Sequence, residues 1–300
     1  MWPPPDDPAT ITRMRAALAT ARKLMNVDEG DDRRGTWGWH GRTLGQAVAL
    51  TTGLGWLRLA AAPIGQVIPV FWNGSIEAQA VMPASVPRPG LIGWHDWQDE
   101  PWQYRAELYD YCTARPVSET PALIRQPPLS SRWWAAARVA LRDIATVRTS
   151  RHTITRHYLQ QAMPRFLGNP INSDPPVPWT TAHGDFHFAN ITAPDLQILD
   201  FEGWGLAPAG YDAATLHSYS LLVPVTAARI RREFASVLNT PAGRHAELVA
   251  ITELLHANAR GEHTALNQPL HERACVLLDR PIPDQPREPA ITWAADLGSI

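Results

Sequence analysis

The spacing of apolar positions changes twice along the chain, from helical to alternating and back to helical. Ile11 to Met25 reads as a short helix, and the acidic-basic run "DEGDDRR" that follows reads as a solvated linker. From Thr36 the pattern is extended, with Trp37 and Trp39 alternating with small or polar residues. "QAVALTTGLGWLRLAAA" predicts two short strands joined as a β-hairpin, with Gly53 and Gly55 at the turn. "WNGSIEAQAVM" reads as a short helix, and "RPGLIGWHDW" and "YRAELYDYC" as further strands. Residues 36–114 are therefore expected to form a small sheet-rich lobe, preceded over 1–35 by the helix and linker.

The proline-punctuated stretch "TARPVSETPALIRQPPL" carries linker signals, and the period beyond it becomes 3.6. Ser130 and Ser131 are candidate caps for a helix in which Trp134, Ala137, Leu141, Ile144 and Ala145 share a face. Ile230, Phe234, Val237 and Leu238 form a second stripe. Leu248, Ile251 and Leu255 form a third, and Leu266, Leu270, Ala274, Leu277 and Leu278 a fourth. Residues 115–280 thus predict a larger helical lobe. The proline-rich remainder, 281–300, reads as an irregular tail.

Composition narrows what such a two-lobed α+β protein can be. Apolar residues make up 45% of the chain, enough for a sizeable core, and 27 basic against 29 acidic residues leave a net charge of −2. No global field therefore draws it to nucleic acid or to anionic lipid. No apolar tract is long and unbroken enough to span a membrane, and the N-terminus lacks the layout of a secretion signal, so the expected location is cytoplasmic. Cys112 and Cys275 stand far apart, outside any paired-ligand spacing. The acids Glu233, Glu247, Glu253, Glu262 and Glu272 are spread along helices and read as solvated faces.

Chemistry concentrates in one stretch, "HGDFHFANITAPDLQILDFEGWGLAPAGYD", His183 to Asp212. Asp185 lies five residues before Asn190, and Asp200 ends an apolar run ten residues later. A loop and a strand end of this kind suit convergence on a divalent cation, because amide carbonyl and carboxylate oxygens are hard ligands fit for Mg²⁺. The other carboxylate can then orient a hydroxyl, an arrangement that phosphoryl transfer requires. A zinc clamp by His183 and His187, four residues apart, would need a helix. Gly184 between them, and the lack of a Glu after the first His, argue against it.

His-x-Asp, four residues and Asn, then an apolar strand into Asp-Phe-Glu, resembles the aminoglycoside phosphotransferase and choline kinase branch of the protein-kinase-like fold. The resemblance is most specific over His183–Asp212, and lobe order extends it loosely over 36–280. It implies a two-lobed fold with a small β-rich N-lobe covering the nucleotide and a larger helical C-lobe. It implies Asp185 as catalytic base, Asn190 and Asp200 as Mg²⁺ ligands, and His183, His187 and Glu202 in support. Asp212 would contact the Asp185 loop from below. ATP or GTP would be the co-substrate, and the partner a small-molecule hydroxyl acceptor.

The small lobe departs from the family pattern. The lysine that kinase-like enzymes place on the third strand, paired with a helix glutamate, is missing, because Lys23 is the only lysine in the sequence. Arg58 in "GWLRLAA" takes its place by position, with Glu77 in "NGSIEAQ" as candidate partner. Strand alternation puts Trp56 on the face of Arg58, where the resemblance implies a small residue lining the adenine pocket. "GWHGRTLG", with Gly38, Gly41 and Gly45, is a candidate phosphate-covering loop. These departures keep a second function in play, a nucleotide-binding pseudokinase of the same fold.

Overall fold

The computed structural model describes residues 3–30 and 35–284, in two compact units. Residues 31–34 of the segment read as a linker, and 285–300 of the expected tail, lie outside the described residues.

The first unit comprises residues up to Gln79 together with Arg88–Arg115. It opens with helix α1 (Pro8–Leu24), three residues earlier than the apolar period shows, because Asp7 caps it by accepting from the Ala9 and Thr10 N–H groups. Strands β1 (Asp28–Glu29), β2 (Thr36–Trp37), β3 (Thr43–Leu50), β4 (Gly53–Pro63), β5 (Leu91–Asp99) and β6 (Trp102–Asp110) form an antiparallel sheet. Its order is β1-β3-β4-β6-β5, with β2 also on β3. Asp28 and Glu29, expected in a linker, instead pair with Ala49 and Val48 at the sheet edge. The β3–β4 hairpin turns at Thr51 and Thr52. Gly53 is already paired with Leu50, and Gly55 lies inside β4 rather than in the turn. Helices α2 (Pro69–Trp72) and α3 (Gly74–Val81) precede β5.

Alternation along β4 and β6 gives the sheet one apolar face, since successive side chains point to opposite sides. Leu57, Leu59, Ala61, Ala106 and Leu108 bury there beneath Met14, Ala17, Leu18 and Ala21 of α1. The other face carries Trp56 and Arg58.

The second unit holds Ala80–Pro87 and, among the described residues, those after Arg115. β7 (Arg115–Pro116) opens the connection into it. Helices α4 (Ser131–Ala145) and α5 (Arg156–Leu167) are followed by β8 (Trp179–Ala182), β9 (Thr192–Ala193) and β10 (Gly205–Pro208). Then come α6 (Tyr211–Tyr219), α7 (Pro224–Glu233), α8 (Ala235–Leu238), α9 (Pro241–Ala259) and α10 (Asn267–Leu278). β8 and β10 pair antiparallel, Ala182 against Gly205, on either side of the chemistry-bearing stretch. α9 packs against α5, α6 and α10 and is buried around most of its circumference.

Ser130 is the N-cap of α4, accepting from the Trp133 N–H at 3.1 Å, while Ser131 is the first helical residue. Ser130→Ala is expected to cost about 1 kcal/mol, the usual value of a lost cap. Urea unfolding of the two proteins measures it.

Candidate active site

The stretch from His183 is held from four directions within the second unit. Asp212, in the first turn of α6, accepts from the His183 N–H at 2.7 Å and the Gly184 N–H at 3.0 Å. This buried carboxylate is pushed up to about 6, because desolvation outweighs the two amide donors, and the Asp185 charge adds to the rise. Gly184 has φ +92°, and a Cβ there would lie 2.1 Å from Thr153 Oγ1 and 2.7 Å from the Gly203 carbonyl. Both the backbone and the space demand glycine.

His183 is fully buried. Its Nδ1 accepts from the Asp185 N–H at 3.3 Å, so Nε2 bears the proton and donates to the Leu199 carbonyl at 2.9 Å. Burial holds its pKa down at about 4, which keeps the ring neutral. The residue thus ties the Asp185 loop to the segment just before Asp200. Phe186 and Phe188 are completely buried and anchor the loop, while the Asp185 side chain just before them stays 52% exposed.

Asp185 accepts from the Asn190 amide nitrogen at 2.9 Å, and His187 Nε2 lies 3.2 Å from the same oxygen. Desolvation alone would raise its carboxyl, but the charge and hydrogen bond of His187, then His183 and Asn190, bring it down to about 2. It is a carboxylate at every physiological pH. Asn190 also donates to the Asp185 carbonyl at 3.1 Å, so its side-chain oxygen is at the opposite end of the amide.

A hairpin brings Asn190 next to Asp200. The Leu199 N–H donates to the Asn190 carbonyl at 2.8 Å, Ile191 bridges Ile198, and the Thr192 N–H reaches Gln197. Trp133 fastens this hairpin to α4 by donating from Nε1 to the Thr192 carbonyl at 2.8 Å. Asp200 follows at φ +62°, the left-handed region that a non-glycine residue occupies at an energetic cost. The donors at hand are an amide oxygen and a carboxylate on neighbouring strands, a hard-oxygen pair whose chemistry fits Mg²⁺. Glu202 sits on the turn after Asp200, and its carbonyl accepts from Arg151 Nη2 at 3.1 Å. Arg151 also donates to the Trp204 carbonyl at 3.0 Å and stacks over that indole.

The helix that a zinc clamp by His183 and His187 would need is not formed. His183 and His187 lie on a loop, and both are engaged as described. Among the described residues no group of three His, Cys, Asp or Glu is placed to hold a metal.

Of the acids expected on solvated helix faces, Glu247 is fully buried and Glu253 is half-buried. Glu253 of α9 accepts from the Tyr211 hydroxyl, and its carboxyl is pushed up to about 7 by burial, with the Asp185 charge contributing. Tyr219 and His263 also sense Asp185, and Tyr219 stacks edge-on with both His187 and His263. An aromatic and acidic wall therefore stands within the electrostatic reach of Asp185. Because the folded state holds the Glu253 proton up to about 7 while the unfolded chain releases it near 4.5, this group lowers stability as pH rises through that window. Glu253→Gln is expected to flatten the fall of the melting temperature between those pH values, as thermal scans of both proteins across pH would show.

Arg58 and Glu77 lie in the first unit. Arg58 is paired in register with Glu107 of β6, and its Nη1 lies 3.1 Å from that buried carboxylate, to which the Tyr109 hydroxyl also donates at 2.8 Å. Glu77 is exposed in the first turn of α3. In the candidate glycine loop, Trp39–Gly41 form a 3₁₀ turn and Gly45 lies inside β3. A Cβ on Gly45 would meet the Trp56 ring at 2.4 Å, so that glycine makes room for the indole.

The chain is similar to solved structures of aminoglycoside phosphotransferase APH(4)-Ia. The TM-score is 0.58 at 12% identity, covering 88% of this chain and 97% of that one. A thermostable mutant of that enzyme, in a ternary complex with ADP and hygromycin B, matches with TM-score 0.58 and 12% identity over 87% of this chain and 97% of its own. Another, in a ternary complex with AMP-PNP and hygromycin B, matches with TM-score 0.57 and 12% identity over 87% of this chain and 98% of its own. No protein-family model and no curated protein sequence matches. At this identity the likeness is one of fold, and the α+β fold implied by the catalytic-loop resemblance is the fold found.

Proposed function

We propose that this chain, which has the fold of an aminoglycoside phosphotransferase, transfers the terminal phosphoryl group of a nucleoside triphosphate to a hydroxyl of a small molecule. The observation that carries the reading is the assembly of Asp185, Asn190 and Asp200 on one loop and hairpin, with Asp212 clamping the loop from its buried side.

In this reading Asp185 accepts a hydrogen bond from the acceptor hydroxyl and aligns its oxygen for attack. A carboxyl held at about 2 is a weak base, so it takes the proton only as the new O–P bond forms. His187 keeps that carboxylate ionised and fixed in orientation. Asn190 and Asp200 would hold Mg²⁺, which when bound supplies charge neutralisation to the phosphate oxygens. The left-handed backbone at Asp200 sets the direction of its carboxylate. Arg58 would steady phosphate oxygens as a planar fork where kinases use a point charge, with Glu77 as the candidate partner of its guanidinium. The wall of Tyr219, His263 and Glu253 would face the acceptor.

The missing lysine, with Arg58 in its place and paired to Glu107 of the neighbouring strand, favours a second reading, a nucleotide binder without turnover. An acceptor screen followed by ADP release separates the two. Acceptor-dependent release that disappears in Asp185→Ala supports transfer. Mg²⁺-dependent nucleotide stabilisation with no release for any sugar, amino alcohol, nucleoside or aminocyclitol supports the binder, and no stabilisation at all rejects both.

A further inference from the structure

Asp200 depends on its surroundings for its place. A non-glycine backbone at φ +62° persists only where neighbouring structure imposes it, and the turn that follows Asp200 is where a brace attaches. Arg151 donates from Nε to the Trp204 carbonyl at 3.0 Å and from Nη2 to the Glu202 carbonyl at 3.1 Å, so one edge of its guanidinium spans that turn. The same group lies 4.7 Å over the ring of Trp204, whose side chain is buried.

Arg151 is itself fixed. Its N–H donates to Thr149 Oγ1 at 3.0 Å, its carbonyl accepts from the Leu206 N–H at 2.8 Å, and the Thr153 N–H donates to the Leu206 carbonyl at 3.2 Å. Leu206 is paired on its other side with Thr181 of β8, so residues 151–153 lie along the edge of β10 away from β8. The packing is close on both flanks. A Cβ on Gly205 would lie 2.7 Å from the carbonyl carbon of His152, and a Cβ on Gly184 would collide with Thr153 Oγ1. One short segment thus touches the Asp185 loop at Gly184 and the Asp200 turn at Glu202 and Trp204.

We propose that Arg151 is a positioning residue for Asp200, holding the turn behind it so that the carboxylate keeps the direction a divalent cation needs. The inference rests on Asp200 as a cation ligand, the reading proposed above. The role calls for a guanidinium, because an ammonium is a point donor and does not match two carbonyls as a planar fork does. The sign of the effect separates positioning from charge. A guanidinium near a metal ion repels it, so losing the charge alone would tighten metal binding, whereas losing the brace weakens it.

Arg151→Ala and Arg151→Lys test this in the full chain. Arg280→Gln is the control, since Arg280 clamps the Leu167, Gly168 and Pro170 carbonyls elsewhere in the unit. Free Mn²⁺ is read by paramagnetic resonance with ATP present, against the same titration without protein. Both Arg151 variants are expected to bind Mn²⁺ about tenfold more weakly, the lower end of what groups that orient a metal ligand contribute. Amide exchange over residues 201–206 of the metal-free protein should quicken in both. Arg280→Gln should lower the melting temperature and leave the other two readouts at wild-type values. If Arg151→Ala loses the wild-type circular dichroism, Arg151→Lys carries the test. Wild-type or tighter Mn²⁺ binding in a folded Arg151 variant, or unchanged exchange over 201–206, overturns the inference, as does an equal weakening in Arg280→Gln. A wild-type protein that binds no Mn²⁺ overturns the reading of Asp200 as a ligand, and the inference with it.

Discussion

Asp185→Asn is expected to lower turnover by roughly a hundred- to ten-thousand-fold, the range lost when a positioned acid-base group is removed. Nucleotide affinity should change only a few-fold, because in the proposed mechanism the variant loses the group that would face the acceptor hydroxyl. The substitution keeps the size of the side chain and one oxygen for the Asn190 amide, and the residue is half-exposed, so folding should be little affected. Its loss is therefore one of charge and proton-accepting capacity. Steady-state ADP release, with nucleotide titration of the same samples, separates kcat from binding. Turnover within a few-fold of wild type would remove Asp185 from the mechanism.

The largest effect on stability is expected at Glu247, a fully buried carboxylate on α9 that joins three other helices. Arg273 of α10 meets it with two parallel contacts of 2.7 and 2.9 Å, Arg231 of α7 reaches it at 2.9 Å, and His217 Nδ1 of α6 lies 3.0 Å away. Burial alone would raise this carboxyl, but His217 and then Arg273 outweigh it and hold it at about 2. Glu247→Ala leaves two partly buried guanidiniums without their counter-charge, and such a break costs about 3 kcal/mol, the lower end of the range for a buried pair because solvent still reaches both arginines. Denaturant unfolding measures the loss directly. The pH dependence has a definite sign. A folded-state pKa below the unfolded one gives stability that is present above about 4.5 and is lost as pH falls toward 2, so Glu247→Gln should be less sensitive to acid across that window. A variant as stable as wild type would show that the cluster balances its own desolvation.

What the sequence made legible was what periodicity and local spacing encode. The alternation of Leu57, Leu59 and Ala61 with Trp56, Arg58 and Ala60 gives the buried and open faces of β4, and Ser130 announces the start of α4. The α+β class and the kinase-like fold followed from the lobe order and the His183–Asp212 motif. Other features lay beyond local pattern. Every residue of α6 is buried, so no polar face marks it as amphipathic, and α5 carries Pro164 within it. Glu247 and Glu253 sit on a helix enclosed on nearly all sides, where a lone glutamate in sequence looks like any surface glutamate. Arg151 supports the turn after Asp200 from some fifty residues away, and nothing near it in the chain marks that contact. The need for Gly45 arises from Trp56 on the neighbouring strand.

The central claim is that Asn190 and Asp200 together hold a divalent cation beside Asp185. Electron paramagnetic resonance of Mn²⁺, titrated with the chain in the presence of ATP, reports this directly, because bound Mn²⁺ loses the signal of the free ion. The account predicts that wild type depletes the free signal and that Asp200→Asn and Asn190→Ala each weaken binding by about tenfold or more, a loss of roughly 1.4 kcal/mol or greater. Wild-type Mn²⁺ affinity in both variants would contradict it.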